Sequence, residues 1–341
     1  MNADEDQKED IEWLESLPET YDWVTLKRLK GKRLKPKQMN TGRFYPNTID
    51  EKTIYIRFDD DIVYVDDDFF HNILDFRIDN PEYFLVFANI WNNAILSYIH
   101  QRLGNIPPEP VVEDAFCMNP VAWRSGKFAE DIHNLLIDKI LSGTVSDLFF
   151  GKAELHDAKR FSISCFAFFG KDFKKFEGIV GYKDGKLVYD EEIWLTEIYT
   201  ITNNLLSVIC GSALVAHYSF FAQRPYLDKT DILKQYKEIG KEKLSDAYYE
   251  LLDGQREHEK PTGLKDFTLP PSREEDSDII VALRAEASGY RAVYGDSGVV
   301  IYQNDEVIAR ISGQNVPGSK VDRMIANQYK KRGGNASRVS I

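Results

Sequence analysis

Apolar runs and amphipathic stretches alternate along most of this chain. TIYIRF, IVYV, YFLVFANI, RFSISCFAFFG and LSVICGSALVAHYSFF are rich in β-branched and aromatic residues and predict extended structure, with TIYIRF as a buried strand and RFSISCFAFFG as a long one. DDFFHNILDFRI, NNAILSYIHQRLG, KFAEDIHNLLIDKILSG, EEIWLTEIYTITNN and DKTDILKQYKEIGKEKLSDAYYELLDG space their apolar residues with a helical period, two of them ending at Gly104 and Gly254. IVGYKDGKLVYD predicts a hairpin turning at Lys183-Asp184-Gly185. Apolar strands alternating with helices predict an α/β sheet covered on both faces.

The pattern changes at both ends. Residues 1–40 combine an acidic start, with a short helix expected at EDIEWLESL, and the basic run LKRLKGKRLKPKQ. That run reads either as an exposed helix end or loop, or as a phosphate-binding surface. Residues 41–255 carry the α/β pattern. Residues 256–276 hold prolines and charges without periodicity and read as a linker. Residues 277–341 predict a small antiparallel β unit from DIIVALRAEA, YRAVYGDSGVVIYQ and EVIARIS, then a basic helix and tail.

Composition narrows the classes. With 341 residues, 43% of them hydrophobic, the chain can build one large core with an appendage. A formal net charge of -12 argues against wrapping nucleic acid over the whole surface, though not against a local basic patch. Cys117, Cys165 and Cys210 lie in apolar runs and read as reduced core residues. The acidic start does not resemble a signal peptide, and no apolar run has the length of a membrane helix. The expectation is a cytoplasmic protein, of a bacterium or an infected host cell.

Candidate chemistry centres on TIYIRFDDDIVYVDDDFF, which places six aspartates in ten positions. Such carboxylates are either well solvated or held by a cation. Asp59, Asp60 and Asp61 follow a strand, and ligands of open α/β sheets bind where strands end. Strand alternation would aim Asp59 and Asp61 the same way, as oxygen ligands for Mg2+ or Mn2+. Asp66, Asp67 and Asp68 precede an apolar helix, and capping with the macrodipole accounts for them.

The motif TIYIRFDDDIVYVDD resembles the aspartate motif of GT-A glycosyltransferases. YFLVFANIWNNAILSYIHQRLG, RFSISCFAFFG, DEEIWLT and GSALVAHYSFFAQR, in that order, resemble a family of glycosyltransferase-like proteins of fungi, bacteria and viruses. The resemblance spans roughly Phe44 to Leu252. It implies a GT-A-like, Rossmann-like mixed sheet flanked by helices and a nucleotide-sugar donor, with a UDP-sugar expected. Asp59 would contact ribose or sugar, with Asp60 beside it. Asp61 would hold the metal, with Asp59 and His217 as further ligands. The other reading of His217 is a satisfied core histidine. In DEEIWLT, an inverting enzyme would take its general base from Asp190, Glu191 or Glu192, Glu191 being preferred. A helix cap explains the same acids. Asn89, Asn92 and Asn93, at a strand-to-helix turn, could bind sugar hydroxyls or serve as turn and cap residues. His100 reads as structural, and Trp123 and Arg124 as part of an acceptor wall. Only 58 residues precede Asp59, so the nucleotide-binding half is expected to be reduced.

The leading function is therefore a metal-dependent glycosyltransferase. A non-catalytic binding protein on a reduced transferase fold and a metal-dependent phosphodiester enzyme are the alternatives. The latter needs a third close carboxylate and a basic residue over the phosphate, a spacing the chain does not display. The acceptor is either a glycan precursor or, given the basic segments, modified bases of phage DNA.

Overall fold

The computed structural model describes residues 7–29, 37–156, 160–183, 186–253, 260–270, 275–276, 291–295, 298–303, 306–311 and 316–317. In chain order the described elements begin α1 (Lys8–Thr20), β1 (Ile54–Phe58), β2 (Ile62–Val65), α2 (Phe69–Asp79), β3 (Val86–Trp91), α3 (Ala94–Leu103) and α4 (Gly126–Leu141). Next come β4 (Lys152–Leu155), β5 (Cys165–Phe169), α5 (Gly170–Lys174), β6 (Tyr182–Lys183), β7 (Lys186–Leu187), α6 (Glu191–Ile193) and α7 (Tyr199–Thr202). The remainder are β8 (Ser207–His217), α8 (Arg224–Leu227), α9 (Ile232–Asp253), β9 (Glu275–Asp276), β10 (Arg291–Gly295), β11 (Gly298–Gln303), β12 (Glu306–Ile311) and β13 (Val316–Pro317). Two compact units divide the chain: Met1–Tyr55 with Phe169–Leu195, and Ile56–Phe168 with Thr196–Ile341.

In the first unit α1 buries none of its residues, in keeping with its acidic, solvated composition. The packed part is aromatic. Tyr45 meets Phe173 at 5.2 Å, Phe173 meets Phe176 at 4.9 Å, and Phe176 meets Trp194 at 5.0 Å between ring centroids. The expected hairpin is present as β6 paired antiparallel with β7; Asp184 and Gly185 of its turn lie outside the described residues.

The second unit holds a mixed sheet with the order β1-β5-β3-β8-β2, and β4 also pairs with β8. β3 and β8 run parallel, while β5 on β3, and β2 and β4 on β8, run antiparallel. Helices flank it: Trp91, Leu214, Ala216 and Tyr64 from the strands share a core with Phe128, Ile132 and Leu136 of α4 and Tyr236 and Ile239 of α9. α2 is tied to β8 through Asn72 Nδ2, which donates to Ser212 O at 2.9 Å. The predicted long strand at RFSISCFAFFG is regular only over Cys165–Phe169. TIYIRF is half-buried rather than buried, because β1 ends the strand order and has a sheet neighbour on one side. The helix expected over EEIWLTEIYTITNN forms, but widens to a π turn at Trp194–Ile198.

Two features of this sheet position the candidate site. Phe58 and Ile62 are four residues apart, which spans at most about 14 Å. A flat sheet would hold the edges of five strands about 19 Å apart. The sheet must therefore curl for Asp59–Asp61 to join β1 to β2. Second, β8 carries a wide bulge: Phe87 pairs with Ile209, but Asn89 pairs with Leu214. Below the bulge β8 takes β4 as neighbour, and above it β2. Gly211 sits in the bulge, where a Cβ would lie 2.3 Å from Phe150 O, so only glycine allows this approach.

Part of the stretch read as a linker is fixed on the second unit. Gly151 N–H donates to Lys265 O and Phe267 N–H to Lys152 O, both at 2.8 Å. β10, β11 and β12 form a three-stranded antiparallel sheet. Most of the basic run after Lys27 and the basic tail 318–341 lie outside the described residues. No described helix is long and apolar enough to cross a membrane.

Candidate functional site

Asp59, Asp60 and Asp61 cross from β1 to β2 as a short turn pinned at both ends. Asp59 N–H donates to Ser164 O, and Tyr218 N–H donates to Asp61 O, each at 2.8 Å. The triplet therefore lies across the end of the sheet, with Asp61 beside the last residue of β8.

That residue is His217. Its Nε2 lies 3.3 Å from Asp61 Oδ2, and the ring is buried edge-on against Phe220. Its Nδ1 faces Asn92 O at 3.4 Å. With Nδ1 turned to a carbonyl, Nε2 is the ring atom presented to Asp61, and it is the atom that would ligate a cation. Arg224 reaches the same carboxylate oxygen, Nη2 standing 3.2 Å from Asp61 Oδ2. Burial alone would raise the Asp61 carboxyl. The His217 hydrogen bond and the charges of His217 and Arg224 outweigh it and hold the carboxyl below its ordinary value.

The other aspartates are placed differently. Asp59 Oδ1 pairs with Arg57 Nη2 at 2.9 Å, and Arg57 also donates to Ile163 O. Asp60 is exposed at the tip of the turn. Among the described residues no group of three His, Cys, Asp or Glu side chains converges. A divalent cation nevertheless fits the pair. Neighbouring ligands about 2.1 Å from an octahedral cation are about 3 Å apart, close to the Asp61–His217 separation. Such a cation ordinarily takes its remaining ligands from water and phosphate.

Asp66, Asp67 and Asp68 serve α2, though not as a simple cap. Asp68 occupies the N-cap without a side-chain cap bond; Asp66 Oδ1 instead accepts from Asp68 N–H at 3.2 Å, and Lys243 pairs with Asp67 at 2.7 Å.

The three asparagines are buried framework. Asn89 donates to Leu148 O at 3.1 Å and Gly211 O at 2.9 Å, stitching the β8 bulge, and its Oδ1 accepts from His100 Nε2 at 2.8 Å. Asn93 caps α3, accepting from Ile95 N–H and Leu96 N–H. Asn92 has φ 61, a left-handed conformation that asparagine tolerates better than most residues. Its Nδ2 donates to Tyr218 O and to Gln223 Oε1, each at 3.0 Å.

Beneath the site these bonds continue as a buried network. Gln223 is fully buried: Oε1 also accepts from Phe220 N–H at 3.0 Å, and Nε2 donates to Ala122 O at 2.9 Å. His133 Nε2 donates to Tyr218 O at 2.9 Å, which leaves Nδ1 to accept from the Tyr236 hydroxyl at 3.0 Å. Burial pushes His133 down to about 4 and His100 to about 3, so both rings are neutral at physiological pH. The structural role expected of His100 agrees with its two amide partners, Asn89 and Asn105. Trp123 stands 6.1 Å from Phe220, with Arg124 over its ring at 5.8 Å.

Asp190, Glu191 and Glu192 belong to the first unit, while Asp59, Asp60, Asp61 and His217 belong to the second. Asp190 is an N-cap, its Oδ1 accepting from Ile193 N–H at 2.8 Å; Glu191 is buried.

Arg57, Gln223 and Arg224 were not singled out from the sequence. Arg57 had a legible signal, since alternation puts residues two apart on one side of a strand. Gln223 and Arg224 lie within the quoted motif GSALVAHYSFFAQR, but nothing local indicates that they turn toward residues more than a hundred positions away. No protein-family model, curated protein or solved structure matches this chain.

Proposed function

We propose that this protein is a metal-dependent glycosyltransferase of GT-A-like fold, moving a sugar from a nucleotide donor, a UDP-sugar first of all, to an acceptor hydroxyl. The observation that carries the reading is the convergence of Asp61 Oδ2 and His217 Nε2 at 3.3 Å, at the sheet end where α/β folds bind ligands. The ordered motifs that resemble the glycosyltransferase-like family support it independently. Asp61 and His217 would hold Mn2+ or Mg2+. When bound, the cation neutralises charge developing on the leaving diphosphate.

The chain's own residues do the rest. Asn92 O orients the His217 ring, and Arg57 fixes Asp59 at the far end of the turn. Asp60, exposed between them, is free to meet the donor. For an inverting transfer the general base is assigned to Asp190, Glu191 or Glu192, with Glu191 preferred. The acceptor is a glycan precursor or a modified DNA base.

The test is UDP release from UDP-sugars by the full chain, with and without Mn2+. Mn2+-dependent release that disappears in Asp61→Asn supports the reading. Release by Asp61→Asn at the wild-type rate would sink it. Mn2+-dependent UDP binding without any turnover, whatever acceptor is supplied, would make the protein a binding module instead.

A further inference from the structure

Arg224 is held at the Asp61–His217 pair by more than its ion pair. Its Nε donates to buried Ser219 Oγ at 3.1 Å, its guanidinium lies over the Tyr218 ring at 5.5 Å, and its Nη2 reaches Asp61 Oδ2 at 3.2 Å. The side chain is still 48% exposed, whereas that of His217 is 7% exposed. Two of its five N–H groups are engaged with described residues, so it retains donors facing outward.

Asp61 Oδ2 thus has two neighbours, Arg224 Nη2 at 3.2 Å and His217 Nε2 at 3.3 Å. A cation taking Oδ2 and Nε2 as ligands would bring its charge against the Arg224 guanidinium. His217 is clamped by Phe220 and Asn92 and supplies the second ligand atom. Arg224 is half-exposed and carries the charge that a divalent cation repels. The group that leaves is therefore Arg224, and an anion brought in with the cation gives it a new partner.

We propose that Arg224 is an exchangeable counter-ion: it neutralises Asp61 while the cation is absent and, once displaced, takes the diphosphate of the bound nucleotide. The inference rests on the metal reading of Asp61 and His217 and adds a phosphate ligand that reading does not assign. A guanidinium suits the task because its fork matches phosphate oxygens and cannot lose its charge.

The proposal predicts effects of opposite sign for two probes. Titrating Mn2+ alone into the full chain should show Arg224→Gln binding it about two- to fivefold more tightly than wild type, because a half-exposed competing ion pair is removed. UDP titrated in saturating Mn2+ should bind Arg224→Gln about tenfold or more weakly, the loss expected of a charge-assisted hydrogen bond. Arg224→Lys should fall between the two. General damage to the site would weaken both ligands, and that result overturns the proposal. Unchanged Mn2+ affinity in Arg224→Gln also overturns it, while a wild type that still binds Mn2+ through Asp61 leaves the metal reading intact. No Mn2+ binding by either protein would end both.

Discussion

Replacing Gln223 by methionine isolates the buried amide network from the charged groups above it. Methionine matches glutamine in length but offers no comparable donor or acceptor, so the change removes bonding with little change in volume. The loss can be counted bond by bond. Phe220 N–H and Ala122 O lose partners at 3.0 and 2.9 Å, and Asn92 loses the reciprocal amide pair at 3.0 and 3.3 Å. Asn92 Nδ2 keeps His217 O and Tyr218 O, so its donor side survives. A stranded buried polar group costs about 1–3 kcal/mol. With Phe220 N–H, Ala122 O and Asn92 Oδ1 affected to different degrees, the total should be about 3–5 kcal/mol. That is a large part of the about 5–15 kcal/mol that holds a typical fold. In urea unfolding with a slope of about 3 kcal/mol/M, the midpoint should drop by about 1–1.7 M with the slope unchanged. Gln223→Glu keeps the acceptor for Phe220 N–H and Asn92 Nδ2. It sets a charge in a dry position against Ala122 O, and should be at least as damaging. Midpoints within about 0.2 M of wild type for both variants would refute the idea that this amide holds the β8 end in place.

Other consequences can be read at the bench. His133 and His100 have folded values near 4 and 3, below the unfolded value near 6.5, so between these limits the unfolded chain binds more protons. Their contribution is complete above about pH 6.5 and falls as pH drops toward 4, by at most about 1.4 kcal/mol per pH unit per ring. The depressed Asp61 carboxyl adds to the loss at lower pH. Unfolding midpoints measured from pH 7 to pH 4 should therefore decline, and a flat profile for His133→Gln and wild type alike would contradict the assignment. Glu191→Gln should lower transfer by about 10²–10⁴-fold while leaving UDP affinity in Mn2+ unchanged if Glu191 is the base. Near-full turnover in Glu191→Gln and in the matching variants of Asp190 and Glu192 would leave the cluster with only the cap that Asp190 makes.

The strand and helix alternation was legible because it rests on local facts. Apolar β-branched runs such as VFANIW and SVICGSALVAH have few ways to satisfy their backbone once buried, and both became central strands. The misread stretches were those whose context is not local. TIYIRF has the composition of a buried strand, yet its position at the end of the strand order leaves it half-exposed. In RFSISCFAFFG the ladder is regular only from Cys165, while Ser164 O is turned to Asp59 N–H. A strand's neighbours decide its burial and its ends, and these are set by residues far along the chain.

The candidate site divides along the same line. Asp61 stood out because three acids follow one apolar strand and precede another without turn residues, and His217 followed from the resemblance rather than from any spacing. Asn89, Asn92 and Asn93 were ambiguous for a physical reason: an amide presents the same donors and acceptors to a sugar and to a carbonyl. What turns them inward is the β8 bulge, which frees Gly211 O and offers it to Asn89, and the left-handed turn at Asn92, which brings its amide to Gln223. Neither can be seen in a strand pattern of period two. The same bulge gives β8 one neighbour below it and another above, so its last residue lies beside β2 and the aspartate turn. The buried amides thus act on the candidate site indirectly. They hold the end of β8 where His217 and Asp61 meet, and leave Arg224, the one half-exposed member of the three, as the group that can move.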